Sequence, residues 1–394
     1  MIVRKTGPEE ARRVNELFAL AFETAAEKGP ADPENDRICH WAAFTEGGEM
    51  MSTLSVTDFE VNFDGQRCKM GGVGGVATPP QFRRRGGIRA CFTLALPELY
   101  RAGYDFSYLF PFSTAYYRKF GYESCVQRLA CTLDLSLVQS TPEEGSFRLA
   151  EPGGALKDSI RAVDRVWEQR YNMAVRHGEA DYAWVDEADP YRTAEYTWLW
   201  FDGAGTPKAY TSFKTELQPD GRNLVCRRFC FLDREGFAAL LRLMKSMAAD
   251  HRFVKCELPG GPALQYLLPE WSLGAAQWTV KPAGMLRVMN VKSVLEKARF
   301  RGSGSLVLQI RDPQIGENDG CFALRFAEGK AVSVEQSADP PDAELEISAF
   351  SALIAGVCDL PEARLWMPGL RVLREDAPLD RLFYRKPLMI TDYF

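Results

Sequence analysis

Residues 73–89 constrain this chain most: Val73-Gly74-Gly75-Val76-Ala77-Thr78-Pro79-Pro80-Gln81-Phe82-Arg83-Arg84-Arg85-Gly86-Gly87-Ile88-Arg89. They run from an apolar, glycine-bearing strand through a basic turn into a helix. After Ile88 the apolar residues Cys91, Phe92, Ala95, Leu96 and Leu99 follow the spacing of one helix face. Residues 83–89 therefore lie at a helix start, where N–H groups without helical acceptors and the positive dipole end favour an anion. Gly86 and Gly87 let that anion reach the backbone with no Cβ in the way. Arginines oppose the dipole and repel one another, a conflict that a bound phosphate relieves. A solvated basic loop and a nucleic-acid patch are the other readings of the same residues.

Charge narrows these readings. With 48 basic against 53 acidic residues the net charge is −5, so the arginine cluster is local and generic affinity for nucleic acid or anionic membrane is disfavoured. At 394 residues the chain should divide into two or three domains. Neither an apolar leader at its start nor an apolar run long enough to span a bilayer is evident, so a cytoplasmic protein is expected. Ten scattered cysteines without a CxxC pair and three distant histidines offer little for a zinc site or a Ser-His-Asp triad, and no metal is expected.

In chain order, a strand from Ile2 leads to Thr6 and Glu9 at capping-box spacing and a helix reaching about residue 28. Residues 29–36 form a loop in which Asp32, Glu34 and Asp36 could face a cationic substrate, with His40 and Trp41 as further candidates for an acceptor pocket. Strands at 50–63 and 66–77 flank Asp64-Gly65, a hairpin dipeptide. Glycines at 71, 72, 74 and 75 predict a bulge there, or close approach of another backbone or a ligand. A helix over 87–103 contains Pro97, which should kink it. A strand (104–111), a short helix (113–120) ended by Gly121 and a long strand (122–135) follow.

A fainter copy of this order spans about 150–280. It has a strand at 224–232, a helix capped by Asp233 that buries Phe237, Leu240, Leu241 and Met244, and a strand at 253–258. Its turn, Phe231-Leu232-Asp233-Arg234-Glu235-Gly236, is acidic and would repel pyrophosphate. From about 284 the pattern becomes a compact α+β unit: a helix at 291–298, strands at 305–311, 321–326, 330–334 and 343–347, a turn at Glu328-Gly329 and a helix capped by Ser348. The sequence ends Pro387-Leu388-Met389-Ile390-Thr391-Asp392-Tyr393-Phe394, and its composition favours a terminal strand packed on its own domain.

Residues 76–89, taken with Tyr116-Tyr117-Arg118-Lys119-Phe120-Gly121-Tyr122-Glu123, resemble the acetyl-CoA half-motif of GNAT N-acetyltransferases. The runs RRRGGIRA and YxRKFGYE look like the Eis (enhanced intracellular survival) type; Ile88 stands where most GNAT proteins carry a second small residue, as the Eis group tolerates. The resemblance implies an α/β (α+β) chain of two GNAT-like mixed-sheet domains in tandem, the second degenerate, followed by a smaller sterol-carrier-protein-like domain. The corresponding boundaries are 1–148, 149–284 and 285–394. It further implies a cytoplasmic homo-oligomer, hexameric in relatives, that acts on aminoglycoside-, lysine- or polyamine-like amines.

Acetyl transfer needs a held thioester, a polarised carbonyl, a neutral amine and a proton for the leaving thiolate. By the resemblance, pyrophosphate lies on the backbone of Arg84, Arg85, Gly86, Gly87, Ile88 and Arg89. Val76, Ala77 and Thr78 pair with the pantetheine, and Phe112 and Ser113 add cofactor contacts. Tyr117 is implied as the acid and the α-carboxylate of Phe394 as the base; read from the residues alone, Tyr117 is core. A terminal carboxylate with a pKa of about 3.5 is a weak base unless burial raises it or a water relays the proton. The absence of an activated nucleophile favours direct attack in a ternary complex over an acyl-enzyme. A non-catalytic acyl-CoA or lipid-binding protein using the C-terminal domain is the alternative.

Overall fold

The computed structural model describes residues 1–139, 144–260, 274–390 and 392–394. Two compact units are formed: one joins Met1–Cys125 to Ala283–Lys386 and the last residues of the sequence, the other holds Val126–Pro282 with Pro387–Ile390. The fold class is α/β (α+β), with mixed sheets and a smaller α+β domain at the C-terminal end.

In the first unit β1 (Ile2–Lys5), α1 (Ala11–Phe22), β2 (Ile38–Phe44), β3 (Met50–Phe63), β4 (Gln66–Ala77), α2 (Gly87–Arg101), β5 (Phe106–Leu109) and α3 (Thr114–Arg118) follow in sequence. Strands β1 to β4 are antiparallel neighbours, β4 and β5 are parallel, and Met285–Val288 of the strand Ala276–Val288 pair antiparallel with β5. Asp64 (φ 50°) and Gly65 (φ 84°) take the doubly left-handed turn whose twist suits a two-residue hairpin.

Trp41, Leu54, Val56, Val73 and Leu109 pack on Ile88, Cys91, Phe92, Ala95, Leu96 and Leu99 of α2. From the other face Ala42, Phe44, Met50 and Ala77 meet Val14 and Leu17 of α1. Helices on both faces explain why the first half of β3 is buried at every residue, the polar Ser52, Thr53 and Ser55 included, although its apolar residues alternate.

Both boundaries of α1 differ from expectation. Helix α1 stops at Phe22, where Glu23 turns left-handed (φ 52°) and its N–H bonds Ala19 O; beyond it Ala25 and Ala26 supply too little apolar surface to hold another turn. Its start is closed one residue later than Thr6 and Glu9 suggested, for Glu10 accepts the Gly7 N–H at 3.0 Å while pairing with Arg4 at 2.7 Å. Pro97 lies inside α2, which runs through it.

The C-terminal part of this unit is a sheet in the order Lys330–Ser337, Gly320–Ala327, Gly304–Arg311, Ala343–Glu346 and Leu370–Val372, with one parallel pair at its centre. Helix Ile347–Ala355 is buried along nearly its whole length. Glu346 takes its N-cap position, so Ser348 lies in its first turn rather than capping it.

Buried charges join the two parts. Asp105 receives Lys297 Nζ at 2.7 Å and Ser293 Oγ at 2.6 Å. Arg287, fully buried, forks onto Asp312 at 2.6 and 2.8 Å and donates to Phe120 O at 2.7 Å. Lys386 Nζ meets Asp64 at 2.6 Å, and the Arg299 N–H donates to the same carboxylate at 2.7 Å.

In the second unit the strands run in the order 126–134 (the greater part of the strand Glu123–Asp134), Phe253–Pro259, Gly221–Phe231, Pro207–Gln218, Glu195–Phe201 and Ser146–Leu149. Helix Arg234–Lys245 buries Phe237, Leu240, Leu241 and Met244, and Asp233 caps it by accepting the Gly236 N–H at 2.9 Å. The expected terminal strand is only a bridge: Asn172 exchanges backbone bonds with Pro387 and Met389, and Arg128 donates to Ile390 O. No described helix is long and apolar enough to cross a membrane.

The Lys386–Asp64 pair generates a test. Asp64→Ala leaves an uncompensated buried ammonium, and should lower the unfolding free energy by about 3–5 kcal/mol in a urea titration. Asp64→Leu combined with Lys386→Met should recover most of it.

Candidate active site

Strand β4 organises the site. Its parallel pairing with β5 runs from Met70–Phe106 to Val73–Leu109, and β4 then continues alone along that edge to Ala77. On its other edge the register slips between Thr53 and Ser55, so that Ala77 and Gly74 face two β3 residues across an extra one; Gly75, at φ 56°, carries the bulge. Backbone groups of Val76, Ala77 and Thr78 thus lie where the strands part. Ser52 Oγ and Thr78 Oγ1, 2.8 Å apart, tie the strand end down.

The basic turn is conformationally special. Arg84 has φ 64° and Gly86 φ 84°, and helix α2 begins at Gly87. Such alternation turns successive N–H groups toward one concavity. The first helical bond is Ala90 N–H to Gly86 O, so the N–H groups of Gly87, Ile88 and Arg89 precede the ladder. Arg83, Arg84, Arg85 and Arg89 are exposed, with Arg85 over the Phe82 ring at 5.6 Å. Gly87 packs on Ser52, whose Oγ a Cβ there would strike. Ile88 turns its side chain into the α2 core, which is why an apolar residue suits a position contributing backbone. These features fit a diphosphate: converging donors, close backbone access and exposed cations around the rim.

Tyr117 lies in α3, whose first turn is capped by Ser113 Oγ accepting the Tyr116 N–H at 3.3 Å. Its ring packs edge-on against Phe92, Phe112, Tyr116 and Tyr122, and it is only 2 % exposed. Burial first, then the neighbouring Tyr116 and Tyr122 hydroxyls, push its pKa above the usual 10. Phe112 is 74 % exposed beside it, an apolar surface open to a ligand.

Phe394 lies in the same unit. Its ring sits 5.1 Å from Phe59, 5.4 Å from Phe110 and 6.1 Å from Tyr108, while Tyr393 stacks on Phe110 at 4.6 Å. Its carboxyl carbon rests against Gly74 at the start of the bulge. Sequence reasoning did not single out Phe59, Tyr108 and Phe110 as walls; the period-two aromatics of the run YDFSYLFP were the available signal.

Of the acceptor candidates, His40 and Asp32 line one open pocket with Thr6, Pro8, Asn35 and Ile38. His40 Nδ1 lies 2.7 Å from Ser55 Oγ, and burial lowers its pKa from 6.5 to about 4. Glu34 and Asp36 are exposed in their loop. Trp41 leaves the set: one residue on, it points to the opposite face, buried in the α2 core with Nε1 donating to Glu98 at 2.9 Å.

The corresponding turn of the second unit is filled by its own side chains, as Asp233 caps the helix and pairs with Lys208 at 2.9 Å.

Comparison with known proteins agrees with this geometry. Residues 2–125 match the acetyltransferase (GNAT) domain model and residues 291–384 the sterol carrier protein domain model. The chain thus carries an acetyltransferase (GNAT) domain and a sterol carrier protein domain. It is similar to N-acetyltransferases of the Eis type. The N-acetyltransferase Eis of Mycobacterium bovis is 26 % identical over 321 residues, 76 % of this chain and 73 % of that protein. In fold the chain is similar to a probable N-acyltransferase from Enterococcus faecalis (TM-score 0.85, 22 % identity, covering 100 % of this chain and 99 % of that one). It is also similar to Eis1 from Mycobacterium abscessus (TM-score 0.80, 16 % identity, covering 100 % of both). The GNAT fold implies use of acetyl-CoA.

Two tests follow from the geometry. Gly87→Ala should push α2 off Ser52 and weaken acetyl-CoA binding on the order of tenfold or more by calorimetry, with the melting temperature lowered little. Because the folded state holds His40 neutral, its stabilisation is complete above pH 6.5 and is lost as pH falls toward 4. His40→Gln should flatten the pH dependence of the urea midpoint across that window.

Proposed function

We propose that the protein moves the acetyl group of acetyl-CoA to a primary amine of an aminoglycoside-, lysine- or polyamine-like acceptor, by direct attack with both substrates bound. The observation that carries this reading is the Phe394 carboxyl group lying against Gly74, where β4 bulges and leaves β5. The base and the strand edge that would hold the thioester arm therefore meet at one residue.

The pyrophosphate lies on the N–H groups of residues 84–89, with Arg84, Arg85 and Arg89 adding charge-assisted bonds. Val76, Ala77 and Thr78 pair with the pantetheine, and a strand-edge N–H polarises the thioester carbonyl. Phe112 packs on the cosubstrate, and Ser113 fixes the first turn of α3 beside it. The Phe394 carboxylate takes the ammonium proton, the amine nitrogen bonds the carbonyl carbon, and the C–S bond breaks. Tyr117, kept protonated through neutral pH by its burial, gives its proton to the departing thiolate and is restored by the second proton, which the acylated nitrogen sheds. Phe59, Tyr108 and Phe110 wall the Phe394 ring and so hold the residue that carries the carboxylate.

We read the chain as three domains, 1–148, 149–284 and 285–394, the first binding acetyl-CoA and the last bringing Phe394 to it; the matched spans 2–125 and 291–384 fall inside the outer two. The working form is a cytoplasmic homo-oligomer.

Acetyl-CoA consumption over a panel of aminoglycosides, polyamines and lysine peptides should identify the acceptor. With it, Tyr117→Phe and removal of Phe394 should each lower kcat by about 10²–10⁴-fold while acetyl-CoA still binds. Arg84→Glu should instead raise the acetyl-CoA Kd. Undiminished turnover in either of the first two variants removes that residue from the assignment.

A further inference from the structure

Four glycines crowd one half of β4, and each has its own cause. Gly75 has φ 56°, a left-handed conformation that disfavours a side chain. Gly71 is packed from the core, for a Cβ there would lie 2.9 Å from Val56 Cγ1. Gly72 and Gly74 need neither explanation: their backbone lies outside the left-handed region, in ladder register opposite Thr57 and Ser55, where any residue could sit. Only Phe394 excludes a side chain at both positions. A Cβ on Gly72 would lie 2.7 Å from Cδ2 and Cε2 of the Phe394 ring and 2.8 Å from Cε2 of Phe59. A Cβ on Gly74 would lie 2.9 Å from the Phe394 carboxyl carbon and 3.0 Å from its oxygen. Residues two apart on a strand share a face, so one glycine lies under the ring and the next under the carboxylate.

We propose that Gly72 and Gly74 form a seat for the last residue of the chain, Gly72 admitting the ring and Gly74 setting the depth of the carboxylate. They are positioning residues, acting through Phe394. The seat stands on the contacts alone; its effect on turnover rests on the reading of Phe394 as the base. Phe59, Tyr108 and Phe110 wall the ring on its other sides, so the floor is what a single methyl group can raise. The two glycines then differ in a predictable way. A methyl at 72 meets side-chain atoms and is partly relieved by a smaller terminal side chain. A methyl at 74 meets main-chain atoms and is not.

The experiment measures release of residue 394 from the full-length folded protein by carboxypeptidase A, relative to release from a peptide of the last eight residues ending in the same side chain. Wild type should be protected. Gly72→Ala and Gly74→Ala should each reduce protection about tenfold or more, since insertion into a packed contact displaces whichever partner can move. Phe394→Leu should restore part of the protection in Gly72→Ala and none in Gly74→Ala. Thermal melts identify any variant that has merely lost its fold, and the Gly72→Ala/Phe394→Leu protein keeps the test open if one has. Unchanged protection in both single variants, or equal relief of both by Phe394→Leu, overturns the seat. With the acceptor identified, a carboxylate displaced by about 1 Å should cost kcat roughly 10²-fold. Lost protection with undiminished kcat keeps the seat and removes Phe394 as the base, so the two ideas fail separately.

Discussion

The ion pair between Lys386 and Asp64 underlies the assembly of the site. Asp64 is the first residue of the β3–β4 turn, held left-handed, and its carboxylate serves both the Lys386 ammonium and the Arg299 N–H. Both side chains are almost wholly buried, at 4 % and 7 % exposure. Burial pushes the Lys386 pKa down while Asp64 pulls it back up. Such a pair adds little to stability when complete, yet neither member can be removed cheaply. It therefore works as a register pin, fixing one point of the C-terminal segment at the end of β4 where the strand begins. Phe394 then meets the same strand further along, at Gly72 and Gly74.

Strand β4 is consequently constrained at every edge: β3 along one side, β5 along part of the other, α2 beneath and the tail above. A regular strand could not meet all four. The bulge at Gly75 and the early end of β5 are where pairing is given up, and the backbone groups released there are those we propose to hold the thioester arm. The turn that follows carries a second departure, the left-handed Arg84. A non-glycine residue in that region costs about 1 kcal/mol or more, which is tolerable where the turned N–H groups gain an anion. Two of this unit's backbone irregularities, at Gly75 and Arg84, therefore flank the strand end at Val76–Thr78.

Much of this architecture was legible. Residues 50–63 and 66–77, the hairpin at Asp64-Gly65, the cap at Asp233 and the helix starting at Gly87 follow from alternation, turn chemistry and capping, all of which act within a few residues. The β4 glycines signalled a bulge or a close approach, and both occur, at different glycines. What separates them is Phe394, distant in sequence and without any local trace in β4. Trp41 was misplaced among acceptor residues because strand alternation does not say which face is the core. Ser348 is a good cap by composition, but Ile347 is buried in the core and draws the helix start forward to itself. The burial of Tyr117 suits both readings of it, a core residue and an acid held in its protonated form.

Asp105 carries the last consequence. Its side chain is buried at the start of β5, accepts the Lys69 N–H, and is neutralised by Lys297 and Ser293 from the helix Val291–Lys297. Arg287 and Asp312 repeat the device nearby, and the α2 core takes in Met285, Met289 and Ile315. The first 125 residues, although they match a catalytic domain by themselves, cannot be borrowed as a free-standing module. Excised, they would keep a buried carboxylate without its counter-ion and a core with part of its floor missing. Recombination at that boundary is barred by electrostatics before any question of substrate arises.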